Sequence, residues 1–312
     1  MCDTLVALAP ATASADGAGG VTLFAKNSDR PPDEEQRLVW VPPRRDTSPV
    51  RATHVEVAPF AGDTVGCVLS VPTWCWGAEH GVNDAGVAIG NEAIYTTLDP
   101  RTIPPALIGM DLVRLGLERA VTATEAVAVI TELLHRYGQG GTGHDPAGVG
   151  GPKAYWSSFL VADPVIAFVI ETSGRAFAVE AVTRTRAISN RTTIAAFDTE
   201  HRHPRQPVAQ LVDPRWHASQ AVLAAEPVTR SAIEAHLRSH DSCAIEGWAV
   251  CMHAVDDRGR AVEDTTASMI AELPMGDAPT IWTVEGHPCR HEYREMRLSG
   301  RGAPPPGWPS SR

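Results

Sequence analysis

Met1-Cys2-Asp3-Thr4-Leu5-Val6-Ala7-Leu8 and Val21-Thr22-Leu23-Phe24-Ala25-Lys26-Asn27-Ser28-Asp29-Arg30-Pro31 are the two stretches on which the fold turns. Residues 4–8 form a short apolar run, ended by Pro10 and by a small-residue loop through Gly17 to Gly20. Residues 21–25 form a second apolar run that passes directly into polar residues. The pair predicts a β-hairpin whose second strand ends in a polar edge facing a site. At the head of the first strand stands a cysteine.

That position has a chemical consequence. The initiator methionine is normally removed when the next side chain is small, so Cys2 would carry both a thiol and a free α-amine. The unperturbed amine titrates at about 7.7–8.0 and the thiol at about 8.5. Together they make a compact base–nucleophile pair. The amine takes the thiol proton on attack and returns it to the leaving group. On this position alone, a chance second-residue cysteine is an equal alternative.

Outward from the hairpin, residues 38–41, 54–57, 64–71 and 87–90 read as further strands, with turn chemistry at Asn83-Asp84-Ala85-Gly86. Residues 106–120 read as a largely buried helix with one polar stripe, Asp111, Arg114 and Glu118. Thr122-Ala123-Thr124-Glu125 reads as a capping box that opens a second helix, stopped by Gly138. A glycine-rich loop over 138–151 leads to a second strand series at 158–161, 167–171, 176–179 and 187–189. Helical stretches follow near 217–225 and 230–239, and strands at 267–273 and 280–284. Sheets packed on each other with helices outside fit this order. One domain over residues 1–300 is expected, followed by a loose Pro/Gly-rich tail over 301–312.

The 312 residues carry a net charge of −10, which argues against a nucleic-acid partner. No apolar stretch approaches the roughly 20 residues of a membrane helix, and no charged leader precedes a long apolar run. The six scattered cysteines match no zinc ribbon or disulfide scaffold, so a cytoplasmic protein with free thiols is expected. No metal or organic cofactor is called for. His236 and His240 lie four apart, which is metal-compatible spacing, but without a third ligand they read as a solvated helix face.

Several ordered blocks extend the reading: residues 24–31, Trp74-Cys75-Trp76-Gly77-Ala78-Glu79, Gly86-Val87-Ala88-Ile89-Gly90-Asn91-Glu92-Ala93, residues 109–119, Tyr137-Gly138-Gln139-Gly140-Gly141, Ile188-Ser189-Asn190 and Thr265-Thr266-Ala267-Ser268. With Cys2 they resemble the secernins and the related bacterial dipeptidases, cysteine-type N-terminal nucleophile (Ntn) hydrolases. The resemblance spans most of the chain, to about Cys289. It implies an α+β fold, a four-layer αββα sandwich, with the N-terminal strand opening into the cleft. This chain is shortened after Asn190, where substrate-side loops would lie, so substrate choice is open.

The resemblance also implies roles. Asp29 would orient the α-amine and favour its protonated form. Lys26 would lower the Cys2 thiol pKa. Asn91 and Asn190 would donate to the oxyanion and the substrate amide, Asn190 through its side chain. A solvated polar turn over 26–30 and strand-capping asparagines are the plain alternatives. Trp74 and Trp76 would wall a substrate pocket or form a core edge. His80, like His201 and His203, reads as surface or packing. Cys75 and Cys251 read as buried structural thiols that nothing pairs with a base.

The expected activity is cysteine-dependent hydrolysis of a small peptide or amide. An acyltransferase passing the same thioester to an amine, and a non-enzymatic secernin-like binding module, stand as alternatives. Hydrolases of this kind often assemble as homo-oligomers.

Overall fold

In the computed structural model, the strand Cys2–Ala7 runs antiparallel to Thr22–Arg30, with Cys2 opposite Ser28 and Thr4 opposite Lys26. The structure describes residues 1–13, 19–45, 48–243, 245–300 and 302–308. The hairpin is the centre of a sheet ordered Thr185–Ile188, Cys2–Ala7, Thr22–Arg30, Ala261–Leu273, Thr280–Glu285, Arg294–Arg297, with His253–Val255 added on Ala261–Leu273. A second sheet is ordered Ala176–Val182, Ala167–Ser173, Trp156–Ala162, Ala88–Ile94, His80–Asn83, Cys67–Pro72, Gln36–Val41.

The period-2 alternation of strand side chains decides what each layer receives. Even-numbered Cys2, Thr4 and Val6, with Phe24, Lys26 and Ser28 opposite, face the second sheet. Val6 and Phe24 join Leu160, Val169 and Met269 in the core between the sheets. Odd-numbered Leu5 and Ala7, with Leu23 and Ala25, face the other way, onto Leu223, Ile233 and Leu237 of the helices Asp213–Ala224 and Arg230–Leu237. On the far side of the second sheet, Ile89, Phe159 and Ile170 pack against Leu112, Leu115 and Ile130 of the helices Gly109–Arg119 and Ala123–Tyr137. Three cores between four layers make the αββα sandwich.

The polar segment at residues 26–30 is not a turn. It continues the strand, and all nine residues of Thr22–Arg30 are buried. Other expectations shift in detail. Of residues 54–57 only Glu56–Val57 is strand, and the strand expected from 64 starts at Cys67. His80–Asn83 adds a buried strand, which places His80 in the packed interior, and Ala195–His201 adds a helix that its mixed composition does not announce. Thr122 caps its helix by accepting from the Glu125 nitrogen at 3.1 Å, but Glu125 reaches back to Val121 rather than to Thr122. Gly138 ends that helix at φ +75°, a conformation that favours glycine. The tail is fastened rather than loose over 302–308. Asp84 accepts from the Gly302 nitrogen at 2.7 Å, and Trp308 packs on the inter-sheet core. Residue 301 and residues 309–312 lie outside the described residues. Among the described residues no helix is long and apolar enough to cross a membrane.

Candidate active site

Cys2 is 5% exposed, at the head of its strand and between the two sheets. Its Sγ lies 4.0 Å from Ser28 Oγ and 3.9 Å from the Asp29 carbonyl oxygen. Burial pushes its thiol up to about 12 against the opposing pull of Lys26. With Met1 attached, the Cys2 nitrogen is a peptide nitrogen. It donates to Asn190 Oδ1 at 2.8 Å. The Met1 ammonium in turn pairs with Glu263 and donates to the Asp29 carbonyl at 3.1 Å.

Asp3 and Asp29 alternate onto the helix side, where helix Asp213–Ala224 supplies a fully buried arginine. Arg215 donates to Asp3 Oδ2 at 2.5 Å, to Asn190 Oδ1 at 3.0 Å and to the Cys2 carbonyl at 3.3 Å. Asp29 Oδ1 accepts from Thr265 Oγ1 at 2.6 Å; among the described residues Oδ2 has no hydrogen-bond partner, and Arg215 stands 4.0 Å away. Burial lifts the Asp29 carboxyl to about 7, partly offset by the Met1 amine and Arg215. This buried carboxylate oxygen is an unused acceptor.

On the inter-sheet face, Lys26 is fully buried and ion-paired with Glu92 at 3.2 Å, while its Nζ donates to the Asn91 carbonyl at 2.7 Å. Thr4 also donates to Glu92. Burial raises the Glu92 carboxyl to about 7, with Lys26 opposing. Burial pulls Lys26 down, but Cys2 and Glu92 more than restore it, so the ammonium stays charged beneath the thiol.

The two asparagines differ from expectation. Asn190 presents its oxygen to the Cys2 nitrogen and uses one amide hydrogen on the Ala93 carbonyl, at 3.0 Å. The second hydrogen of that NH2 group remains available. Asn91 does not offer an oxyanion donor. Its backbone nitrogen donates to the Glu79 carbonyl at 3.1 Å, and its amide nitrogen, turned to the same residue, lies 2.9 Å from that carbonyl and 3.0 Å from Glu79 Oε2. Glu79 therefore takes the Asn91 donors, and what Asn91 contributes is the carbonyl that holds Lys26. Gly109 lets its helix approach this spot, since a Cβ there would stand 2.1 Å from Ser157 Oγ and press on the Asn91 carboxamide.

Trp74 and Trp76 part company. Trp74 donates to Glu34 Oε2 at 2.8 Å beside Arg30, which bridges Glu34 and Glu79 in a buried network. Trp76 packs against the helix-side core with Arg114 over its ring at 4.1 Å, so it does not wall a substrate pocket. His80 is buried and held neutral, by burial first and Lys26 second. His236 is turned inward onto Ser219 at 2.9 Å, not solvated. Cys75 is only half-buried, and Cys251 does have a base beside it, His253 at 3.5 Å.

Glu92, Arg215 and Glu263 were missed from sequence. For Glu92 a signal existed, a carboxylate closing an apolar strand next to Asn91. Arg215 and Glu263 sit at a helix start and on a long strand with nothing local to mark them.

No family model matches this chain. Among solved structures, it resembles an arginine-to-leucine variant of the conjugated bile acid hydrolase from Clostridium perfringens, at TM-score 0.51 and 11% identity, covering 95% of this chain and 97% of that one. A cysteine-to-alanine mutant of the same hydrolase gives TM-score 0.49 at 11% identity, over 96% and 98%. The Caenorhabditis elegans ortholog of N-acylethanolamine-hydrolyzing acid amidase gives 0.48 at 12%, over 88% and 94%. At these identities the likeness speaks to architecture: the chain has the Ntn-hydrolase fold.

Proposed function

We propose that this protein hydrolyses the amide bond of small peptides that carry a free α-amine, through a thioester on Cys2 formed after loss of Met1. One observation carries the reading. The Met1 ammonium is held by Glu263 and the Asp29 carbonyl, one peptide bond from the Cys2 nitrogen. The space beside the thiol is thus already equipped for an aminoacyl group.

Loss of Met1 turns the nitrogen held by Asn190 into an α-amine. The thiol passes its proton to this amine as Sγ bonds to the substrate carbonyl carbon. The unused hydrogen of the Asn190 amide meets the developing oxyanion. Collapse breaks the C–N bond, and the amine returns the proton to the departing amine. Water then attacks the thioester, giving a proton to the α-amine, and the C–S bond breaks as the proton returns to sulfur. Throughout, Lys26 supplies the positive charge beneath the thiol and Arg215 fixes Asp3, Asn190 and the Cys2 carbonyl. This reading matches a secernin-like dipeptidase.

The test is a panel of dipeptides and N-acyl amino acids given to the wild-type protein and to Cys2→Ala. Turnover by wild type alone, with a substrate-derived thioester on Cys2 seen by mass spectrometry, is the expected result. Equal turnover by both proteins would sink the proposal.

A further inference from the structure

We infer that Cys251, His253, Cys289 and His240 form a binding site for one zinc ion. Their ligand atoms all lie within 4.8 Å of one another. His240 follows the helix Arg230–Leu237, Cys251 and His253 lead into and open the strand His253–Val255, and Cys289 sits in the turn after Thr280–Glu285. Three separate parts of the chain meet here, which is why local spacing gave no sign of a metal.

The distances fit the ion. His253 Nε2 lies 3.5 Å from Cys251 Sγ and 3.3 Å from Cys289 Sγ. A tetrahedral zinc with Zn–S of about 2.3 Å and Zn–N of about 2.0–2.1 Å sets such sulfur and nitrogen ligands about 3.6 Å apart. Both thiols are free, and both converge on one imidazole nitrogen rather than only on each other. Two sulfur and two imidazole donors suit zinc and not magnesium or calcium.

The surroundings fit as well. The other His253 nitrogen, Nδ1, faces Asp264 at 3.8 Å. Asp264 also lies 3.2 Å from His287 Nε2, and the His287 ring stacks on His253 with centroids 4.4 Å apart and planes 16° apart. A carboxylate behind a ligating imidazole fixes its tautomer and raises its basicity. Binding releases two protons, one from each thiol, as two sulfur–zinc bonds form.

The site would also brace the chemistry. Between the two ligands Cys251 and His253, the Met252 nitrogen donates to Thr265 Oγ1 at 2.8 Å, and the Met252 carbonyl accepts from the Thr265 nitrogen at 3.1 Å. Thr265 Oγ1 donates in turn to Asp29. A metal that fixes residues 251 and 253 fixes the backbone that positions Thr265 behind Asp29.

The experiment uses the full chain, produced with zinc supplied and freed of loose metal by gel filtration. Elemental analysis should find about one zinc per chain, as a single four-ligand site requires. Cys289→Ser and His253→Ala should lose it, and Cys243→Ser, which alters a thiol outside the cluster, should keep it. In case the ligand variants fail to fold, cobalt is added to metal-stripped wild type. The expected result is thiolate-to-cobalt charge transfer in the near ultraviolet with the strong visible bands of a tetrahedral site. The proposal falls if wild type takes up no zinc and gives no such bands, if both ligand variants keep full zinc, or if the unreduced protein carries a Cys251–Cys289 disulfide. None of these readouts involves peptide hydrolysis, so this inference stands or falls apart from the reading of Cys2.

Discussion

The backbone nitrogen of Cys2 donates to Asn190 Oδ1 at 2.8 Å, and Arg215 donates to the same oxygen at 3.0 Å. One carboxamide thus holds the Cys2 nitrogen, and under the proposed function its remaining N–H is the donor for the oxyanion. Replacing Asn190 by Ala removes both contacts and should lower kcat by roughly 10²–10³, the typical cost of one oxyanion donor. Asn190→Asp keeps an acceptor for the Cys2 nitrogen but has no donor when ionised, so a loss of the same order there assigns the effect to the oxyanion. Steady-state kinetics on folded variants, checked by thermal melting, provide the measurement. An Asn190→Asp enzyme as fast as wild type would remove Asn190 from that role.

A second consequence concerns the state of the thiol. While Met1 remains, Cys2 is 5% exposed and burial pushes its thiol up to about 12. The thiolate is the reactive form, so this cysteine should be nearly inert at neutral pH. Under the proposed function, loss of Met1 supplies an amine to take the thiol proton. In a preparation containing both forms, brief iodoacetamide treatment followed by peptide mapping should label Cys2 only in chains that have lost Met1. The half-buried Cys243, a thiol outside the proposed zinc site, provides an internal control on the same chains. Equal labelling of Cys2 in both forms would contradict the sealed geometry.

The Lys26–Glu92 pair makes a prediction about stability and pH. Both side chains are fully buried. Lys26→Met leaves Glu92 without its partner, and breaking a buried pair from one side costs about 3–5 kcal/mol. Glu92 itself sits at about 7 in the folded chain, above the roughly 4.3 of an unfolded glutamate. Between those values the folded state binds more protons than the unfolded state, so this group's contribution to stability falls as pH rises. Urea midpoints of wild type relative to Glu92→Gln should therefore drop from pH 4.5 towards pH 7 and level off above it. The penalty of Lys26→Met should likewise be larger at pH 8 than at pH 5. A wild-type curve parallel to that of Glu92→Gln across this range would place the Glu92 proton elsewhere.

What could be read from the sequence follows a physical line. The hairpin, the two helices on the second sheet and the polar face of Thr22–Arg30 announce themselves because local period and turn chemistry decide them. That Lys26, Asp29 and Asn190 lie near Cys2 was legible through the resemblance, whose short ordered blocks carry them at the polar ends of apolar strands. Arg215 and Glu263 reach the site from 213 and 261 residues away in the chain, and only the packing of a helix and the pairing of a long strand bring them there. Asn91 misled for a different reason. Its place at the site was readable, but the direction of its donors depends on Glu79, a neighbour across the strand pair that no spacing reveals. Trp74 and Trp76, two apart, were read together, as a pocket wall or a core edge, and only Trp76 joins the core. The chain leaves the strand after Pro72, so the period-2 rule no longer applies to them.

Under the proposed function, Glu263 bears most directly on which substrate is accepted. Burial alone would raise its carboxyl, yet the Met1 ammonium outweighs this and holds it below the usual glutamate range. When Met1 leaves, a half-buried carboxylate loses its cation, and a substrate ammonium placed there restores the pair. Hydrogen bonds to charged groups contribute about 1.5–3 kcal/mol, and about 1.4 kcal/mol corresponds to tenfold. Glu263→Gln should therefore lower kcat/KM by about 10- to 100-fold for dipeptides with a free α-amine. The same dipeptides with an acetylated N-terminus lack the ammonium and should be turned over equally by wild type and variant. The ratio of the two substrates thus isolates the ammonium contact from any general damage to the site, which would slow both. If Glu263→Gln slows free and acetylated dipeptides alike, the amine is not read by Glu263, and Met1 occupies that space without standing in for a substrate.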